Sequence, residues 1–210
     1  DLRSLARRLQ EHCLRCREER GLSVNIAHAF QPRRGIITNA YIHRNKRYVF
    51  NTDLEDFFGS IHFGRIRGYF QKNEHFQMPA EVATILAQLC CYQGKLPQGA
   101  PTSPVLSNLI CEILDFRILK IAKHYKLDYT RYADDLTFST NDKTFCSRYD
   151  AFYQQLQKEI RRAGFVVNEK KTRLEYRDAR QTVTGLVVNR KLSVDRCYCR
   201  ETRAMAHTLY

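Results

Sequence analysis

The strongest constraint on the fold is a pair of adjacent aspartates inside a segment that otherwise favours a β-strand. The segment is 129-YTRYADDLTFST-140, and the aspartates are Asp134 and Asp135. The flanking Tyr, Leu, Thr and Phe residues have high β-propensity, so the pattern predicts two strands joined by a turn that carries both carboxylates. Two like charges held this close cost several kcal/mol unless a cation neutralises them. The pair is therefore either an ordinary surface turn or part of a site for a divalent cation.

A third carboxylate follows another strong strand pattern. Asp53 ends the stretch 47-RYVFNTD-53. If this strand lies beside the Asp134–Asp135 hairpin, the three carboxylates converge, and oxygen ligands with open positions suit Mg²⁺ that also holds phosphates. Two such ions about 4 Å apart could clamp the attacking and leaving oxygens of a phosphoryl transfer. An Asp-Asp dipeptide alone is weak evidence, so a surface Asp53 beside an ordinary turn stays open here.

The remaining pattern mixes helices and strands without strict alternation, which predicts an α+β fold with an antiparallel sheet backed by helices. The predicted helices cover about 2–20, 62–72, 80–91, 104–124, 146–163 and 195–210, and short strands are expected at 165–168, 173–176 and 182–189. The helix over 104–124 is predicted to be amphipathic, with one apolar face formed by Leu106, Leu109, Ile110, Ile113 and Ile121.

The charge balance indicates a polyanionic partner. Lys and Arg number 35 against 22 Asp and Glu, a net charge of +13. The basic residues are spread along the whole chain, which favours a groove along a nucleic-acid backbone over a lipid-binding tail or a merely solvated surface. No apolar run approaches the roughly 20 residues that span a bilayer. Because the chain starts at Asp1 and a helical pattern runs to Tyr210, we expect a piece of a longer protein.

The eight cysteines include two close pairs, Cys13-x-x-Cys16 and Cys197-x-Cys199. Both pairs lie in helical patterns without the glycines and turn residues of a zinc knuckle. A structural zinc is the weaker alternative, and reduced, mostly buried thiols in a cytosolic protein are the stronger one.

Five blocks, taken in order, resemble the palm motifs of reverse transcriptases: 53-DLEDFFGSI-61, 96-LPQGAPTSP-104, 132-YADD-135, 164-GFVVNEKKT-172 and 183-VTGLVVN-189. Two further features resemble bacterial retron reverse transcriptases in particular. These are 39-NAYIH-43, similar to the N-A-x-x-H signature, and Val183-Thr184-Gly185, similar to the V-T-G signature. The resemblance implies a right-hand polymerase fold, with fingers at 1–47 and 66–96, palm at 48–65 and 97–190, and the start of a thumb at 191–210.

The same resemblance implies roles for the residues of the carboxylate site. Asp53, Asp134 and Asp135 would bind two Mg²⁺ ions, with the carbonyl of Leu54 as a further metal ligand. Lys171, in the N-x-x-K-T block, would be a catalytic residue that neutralises or protonates the leaving pyrophosphate. A solvated lysine is the alternative, since Lys170 is adjacent.

Three residues are implied to bind the incoming nucleotide. Phe58 stands where the family has an aromatic ring that excludes a 2′-OH, although core packing is its alternative. Gln98 and Gly99 lie in the LPQG loop, where a glycine allows close backbone approach and an amide can bridge sugar and base edges. Gly59 departs from the retron pattern, which commonly has Pro there, and we expect a looser turn.

The two retron signatures and the basic residues after the first are implied to bind template RNA. The residues are Asn39, His43, Arg44, Arg47, Val183, Thr184 and Gly185. A lone His43 would otherwise be an ordinary core or surface residue.

The resemblance implies an RNA-directed DNA polymerase that copies part of its own structured noncoding RNA into multicopy single-stranded DNA. It also implies dNTP substrates, priming from a 2′-OH of that RNA, a role in antiphage defence with an effector protein, and no membrane partner. The alternatives are a group II intron-like, diversity-generating or abortive-infection reverse transcriptase, and a nonenzymatic RNA-binding scaffold.

Overall fold

The computed structural model describes residues 1, 3–5, 7–9, 11, 26–74 and 76–208. The helices are α1 (Ile36–Ile42), α2 (Phe63–Lys72), α3 (Ala80–Cys90), α4 (Ser103–His124), α5 (Phe145–Arg162) and α6 (Arg196–Thr208). The strands are β1 (Tyr48–Asp53), β2 (Asp128–Tyr132), β3 (Asp135–Thr140), β4 (Arg173–Tyr176), β5 (Thr182–Val183), β6 (Leu186–Val187) and β7 (Ser193–Val194). A short 3₁₀ turn covers Glu169–Lys171.

A four-stranded sheet with the order β2-β3-β1-β4 forms the centre of the fold. Each neighbouring pair is antiparallel. Because side chains alternate between the two faces of a strand, β1 and β3 each present a different set of residues to each face. The predicted α+β architecture with an antiparallel sheet is confirmed.

Helices α4 and α5 cover one face of this sheet. The ring of Phe50 on β1 lies 5.9 Å from that of Phe138 on β3 and 5.7 Å from that of Phe152 on α5. Phe50, Phe138 and Phe152 are each at most 1% exposed. Burying aromatic rings of this size contributes on the order of 2–3 kcal/mol each, so this aromatic layer fixes α5 to the sheet.

The opposite face of the sheet is partly covered by α1 and by a small sheet of order β5-β6-β7. Here a second apolar cluster contains Ala40, Val49, Val183 and Val188, all fully buried. Val49 is one residue before Phe50, so it points to the other face of β1. Asp53 shares the face of Val49, since the two residues are four positions apart on one strand.

Most of the predicted elements are confirmed, with small shifts at their ends. The predicted strand at 165–168 is wrong: its residues make only a single bridge, from Val167 to Leu54, and lead into the 3₁₀ turn. The predicted strand at 182–189 is interrupted by a turn at Thr184–Gly185. In the predicted helix over 2–20, residues 3–5, 7–9 and 11 are helical. The rest of it, with Cys13 and Cys16, lies outside the described residues.

The apolar face predicted for α4 is wrong at one position. Ile113 is 58% exposed, whereas Leu114, Ile118 and Ala122 are buried. The helix is turned so that this second stripe meets the sheet, which leaves Ile113 on the outer side.

The thiols of Cys90, Cys91, Cys111, Cys146, Cys197 and Cys199 are free. Across the described ranges, no helix combines the length and the hydropathy needed to cross a bilayer.

Candidate active site

The β2–β3 hairpin places the two adjacent aspartates at one end of the central sheet. Tyr132 pairs with Asp135, so Ala133 and Asp134 form a two-residue turn. Ala133 has φ 56°, in the left-handed region that tight hairpin turns require. The turn therefore presents Asp134 and the first strand residue, Asp135, side by side.

Asp53 joins this pair because β1 lies directly beside β3. The register places Asp53 opposite Asp135, and the backbone N–H of Leu54 donates to the carbonyl of Asp134 at 3.1 Å. The predicted side-by-side arrangement of the two strands is thus confirmed. Asp53 is 4% exposed, whereas the turn leaves Asp135 open to solvent.

The 3₁₀ turn brings a cation to the same carboxylate. Lys171 Nζ lies 3.0 Å from Asp53 Oδ2, and Asn168 Nδ2 donates to Asp53 Oδ1 at 3.3 Å. The backbone N–H of Asn168 also donates to the carbonyl of Asp53 at 2.8 Å. Lys171 is therefore held at the carboxylates, and the hydrogen bond to Asp53 raises the pKa of its ammonium.

Two of the three carboxylates, Asp134 and Asp135, have a raised pKa. Desolvation by neighbouring atoms, followed by the charges of Asp134 and Asp53, raises the pKa of Asp135 to about 6, although the residue keeps surface open to solvent. Burial and the Asp53 carboxylate likewise raise the pKa of Asp134. Such a cluster favours bound cations, because a cation relieves the repulsion.

In this structure the three carboxylates are not arranged around one metal-ion position. Within the described residues, no three or more Asp, Glu, His or Cys side chains are arranged as the ligands of one metal ion. The Asp53 carboxylate is instead engaged by Lys171 and Asn168. The donor set of hard carboxylate oxygens nevertheless fits Mg²⁺, with the Lys171 ammonium as the cation present at the site.

A buried ion pair supports the turn from below, and the sequence patterns did not reveal it. Arg131 is fully buried and donates through Nε and Nη2 to the two oxygens of Asp115, at 2.8 Å each. Its Nη1 donates to the carbonyl of Ala133 at 3.1 Å. Tyr129 Oη also donates to Asp115, at 2.9 Å. Arg131 precedes the YADD block, and a charged residue within a buried strand is the signal that could have revealed it.

Phe58 and the LPQG loop lie near each other. Phe58 is half-buried, and its ring is 6.5 Å from that of Phe30 and 5.2 Å from that of Phe57. The LPQG loop lies beside the segment that contains Phe58, because the N–H of Leu96 donates to the carbonyl of Ile61 at 3.0 Å. Packing against Phe57 and access to solvent therefore coexist at Phe58.

The two loop residues predicted to bind nucleotide are both exposed. Gly99 has φ 88°, a conformation that favours glycine, and Gln98 precedes it. Gly59 is the position that differs from the retron pattern, which commonly has Pro. A Cβ on Gly59 would meet the carboxylate of Asp56 at 2.3 Å. A bulkier residue at 59 would therefore require the Asp56 side chain to move.

The two retron-like blocks pack against each other on the sheet face that carries Asp53. Asn39 is fully buried, and its Nδ2 lies 3.4 Å from Thr184 Oγ1. His43 is fully buried between Ser139 Oγ, 2.8 Å from its Nδ1, and Thr130 Oγ1, 2.7 Å from its Nε2. Burial lowers the pKa of His43 to about 3, so its ring is neutral.

Burial divides the predicted RNA-binding residues into two groups. The side chains of Asn39, His43 and Val183 are at 0% exposure, so in this structure they support the two blocks and do not face solvent. Arg44, Arg47, Thr184 and Gly185 are partly or fully accessible. The guanidinium of Arg44 lies 3.9 Å from the centre of the Tyr41 ring. RNA binding by these blocks stays a prediction, with its contacts to be sought among the accessible residues.

Comparisons with known proteins agree with this geometry. The family model "Reverse transcriptase (RNA-dependent DNA polymerase)" matches residues 3–195. The chain is 37% identical over 183 residues to the Retron Ec86 reverse transcriptase of Escherichia coli, covering 86% of this chain and 55% of that protein. It is 39% identical over 196 residues to the Retron Mx65 reverse transcriptase of Myxococcus xanthus, covering 86% and 45%. The chain thus spans about half the length of the curated relatives it matches.

Solved structures with a similar fold include apo telomerase from Candida Tropicalis, with a TM-score of 0.62 and 13% identity over 92% of this chain and 41% of that one. The foamy viral protease-reverse transcriptase in complex with double-stranded DNA has a TM-score of 0.51 and 18% identity over 83% and 27%. At these identities the likeness concerns the fold alone.

Proposed function

The chain belongs to the reverse transcriptase family, and on that premise we propose that it is the catalytic part of a retron-type RNA-directed DNA polymerase. One observation carries the proposal: Asp53 and Asp135 face each other across β1 and β3, with Asp134 in the adjoining turn. The similarity to several retron reverse transcriptases supports the retron type. The fingers, palm and thumb boundaries given above are part of the same proposal.

The three aspartates and the carbonyl of Leu54 would hold divalent cations, with two Mg²⁺ ions as the proposed set. Bound there, such ions lower the pKa of an attacking 3′-OH and neutralise charge on the phosphates. The chain contributes the geometry: β1 and β3 fix two carboxylates in register, and the turn adds the third. Arg131 holds the carbonyl of Ala133 in place, so the turn is preorganised.

Lys171 would act on the leaving group. Its ammonium is 3.0 Å from Asp53 Oδ2 and its side chain is 59% exposed, so it can swing from the carboxylate towards a phosphate. There it would donate a proton, or charge alone, to the departing pyrophosphate. The hydrogen bond to Asp53 raises the pKa of this ammonium further above neutral pH.

Phe58, Gln98 and Gly99 would select the nucleotide. A ring at Phe58 packed against C2′ leaves no space for a 2′-OH, which favours dNTPs over rNTPs. The exposed Gly99, at φ 88°, lets the backbone approach the base pair closely. Gln98 supplies an amide with both a donor and an acceptor.

The partner would be a structured noncoding RNA that serves as template and primer. We propose that the block around Asn39 and His43 and the block at Val183–Gly185 recognise it jointly, because the two are packed together at Asn39 and Thr184. Copying into multicopy single-stranded DNA, priming from a 2′-OH and an effector protein in antiphage defence complete the proposal. These features rest on the similarity to retron reverse transcriptases.

The decisive experiment measures dNTP incorporation by the full-length protein co-expressed with the noncoding RNA of its own locus. We expect Mg²⁺-dependent DNA synthesis joined to that RNA, and its loss in Asp134→Asn with RNA binding retained. Absence of incorporation by the wild-type protein would reject the polymerase and favour the scaffold. Equal priming on arbitrary RNAs would instead favour another reverse transcriptase class. Activity retained in Asp134→Asn would reject the metal site.

A further inference from the structure

A basic cleft of about 440 Å³ lies between α4 and α5. Arg117 and Lys120 line it from α4, and Gln155, Lys158, Glu159 and Arg162 line it from α5. Four of these side chains are cationic and one is anionic, so the cleft has a positive charge.

The carboxylate of Glu159 lies within ion-pair distance of both arginines, at separations too long for a hydrogen bond. Glu159 Oε2 lies 3.8 Å from Arg117 Nη1, and Glu159 Oε1 lies 3.7 Å from Arg162 Nη1. Both distances exceed that of a hydrogen bond, so the carboxylate attracts the two guanidinium groups electrostatically and leaves these N–H groups available to another acceptor. Planar guanidinium groups with free donors are well suited to phosphate oxygens.

The α4 wall continues outside the cleft as an exposed surface of mixed character. Lys120 Nζ lies 4.4 Å from the centre of the Phe116 ring, and Phe116 is 53% exposed. Ile113, one turn earlier, is 58% exposed. A cation held over an exposed ring beside a positive cleft is a surface that matches a sugar–phosphate backbone.

The cleft lies on the far side of the sheet from the carboxylates. Phe50 and Phe138 point towards α5, whereas Asp53 and Asp135 lie on the opposite face of the same strands. The buried Leu156 and Ile160 separate the cleft from the sheet. A segment of nucleic acid bound in the cleft would therefore not be the segment that is being copied at the carboxylates.

We propose that this cleft binds the phosphate backbone of a stem of the noncoding RNA, outside the segment that is being copied. The charge complementarity between four cations and a polyanion favours nucleic acid. RNA is the occupant to expect because it is present before any DNA is made. The inference rests on the proposed function only for the identity of this RNA. The cleft would anchor the RNA behind the sheet while another part of it enters the active site.

The test compares RNA binding by the full-length protein and by a double charge-neutral variant, Lys158→Gln/Arg162→Gln. The matched control is Lys72→Gln/Lys143→Gln, which removes two exposed cations that do not line the cleft. The noncoding RNA of the same locus is titrated at several salt concentrations. We expect at least a tenfold loss of affinity at low salt, and a slope of log K against log salt that is less negative by about 1.5 to 2. The control should retain both within error.

A second readout locates the contact directly. A photo-crosslinking residue at Gln155 should crosslink to a stem of the RNA, whereas the same residue at Lys143 should not. Crosslinks to the DNA product alone, or RNA affinity and salt slope equal to those of the control, would overturn the assignment.

The design separates this inference from the proposed function. Incorporation on a short oligonucleotide-primed homopolymer template should be unchanged in Lys158→Gln/Arg162→Gln, because the cleft does not reach the carboxylates. Failure of the wild-type protein to incorporate dNTPs would reject the polymerase and leave the RNA-binding result to be judged independently. A variant that lost incorporation on the short template would contradict the separation of cleft and active site.

Discussion

Arg131 and Asp115 form a bidentate ion pair in the protein interior, with Nε–Oδ1 and Nη2–Oδ2 distances of 2.8 Å each. The side chain of Arg131 is at 0% exposure and that of Asp115 at 9%. The third donor group of the same guanidinium, Nη1, reaches the carbonyl of Ala133, in the turn that carries Asp134. This pair therefore connects α4, β2 and the carboxylate turn.

Breaking this pair should be more harmful than removing it. In Asp115→Leu, the Arg131 guanidinium stays buried without a partner, so we expect a loss of about 3–5 kcal/mol in the free energy of unfolding. In Asp115→Leu/Arg131→Met, with Tyr129→Phe to avoid an unpaired hydroxyl, most of this loss should be regained. Urea unfolding of the variants measures the difference. A triple variant no more stable than Asp115→Leu would contradict this account.

The regained stability should not restore catalysis. Without Arg131, the carbonyl of Ala133 loses its donor, and the turn at Asp134 loses its support. We expect the triple variant to bind RNA but to incorporate dNTPs more slowly than the wild-type protein. Equal rates would show that the ion pair contributes to stability only.

The buried His43 should make stability depend on pH. Its pKa falls from 6.5 to about 3 in the folded protein, so the neutral ring is favoured and protonation favours the unfolded chain. The stabilisation is present above pH 6.5 and is lost as the pH falls towards 3. Between pH 8 and pH 5 this residue should account for a loss of about 2 kcal/mol. Urea unfolding at pH 8 and at pH 5 measures the loss of stability between the two. In His43→Gln this loss should be smaller by the same amount. Equal losses in the two proteins would show that His43 is not the titrating group.

Lys171 should compete with divalent cations for Asp53. Removing the ammonium in Lys171→Met is expected to tighten Mn²⁺ binding several-fold, measured by electron paramagnetic resonance without nucleotide. The same variant should lower kcat by about 10²–10⁴-fold, the usual contribution of a proton donor. Lys170→Met is the matched control, since Lys170 is exposed and adjacent. Unchanged Mn²⁺ affinity in Lys171→Met would argue against competition.

Phe58 should determine the choice of sugar. In Phe58→Ala, the ratio of kcat/KM for a dNTP to that for the matching rNTP should fall about tenfold or more, because the steric barrier to a 2′-OH is removed. Phe58→Tyr keeps the ring and should retain the discrimination. Single-nucleotide incorporation assays give both ratios. An unchanged ratio in Phe58→Ala would assign this residue to core packing alone.

Thr184 should contribute more to RNA recognition than to stability. It has φ 45°, which is unfavourable for a β-branched residue by about 1–2 kcal/mol. Its hydroxyl interactions with Asn39 and Ile36 are long, at 3.4 Å each. Thr184→Gly should therefore keep or raise the free energy of unfolding by up to about 1 kcal/mol while weakening RNA binding. A clear loss of stability in urea would contradict the strain argument, and unchanged RNA affinity would remove Thr184 from the interface.

The amino-acid sequence by itself determined the strands that carry the three aspartates and the order of the elements. Asp53 ends a strong strand pattern and Asp134–Asp135 interrupt another, and local propensity was enough to predict both. The strand predicted at 165–168 was wrong, because contacts with another segment and not local propensity set the backbone there. The segment 165–168 has strand-like residues, but the backbone groups of Asn168 and Val166 pair with Asp53 and Glu55 as single contacts and do not form a ladder.

Only the tertiary structure decided which charges and which blocks come together. Arg131 and Asp115 are 16 positions apart, and Asn39 and Thr184 are 145 apart, so no periodicity of 2 or 3.6 residues relates them. Strand register and helix rotation set these contacts. The same rotation of α4 turned Ile113 outward and placed Arg117 opposite Arg162. The basic cleft follows from packing two helices on a sheet, because side chains distant in sequence become neighbours only when a shared core fixes the helices.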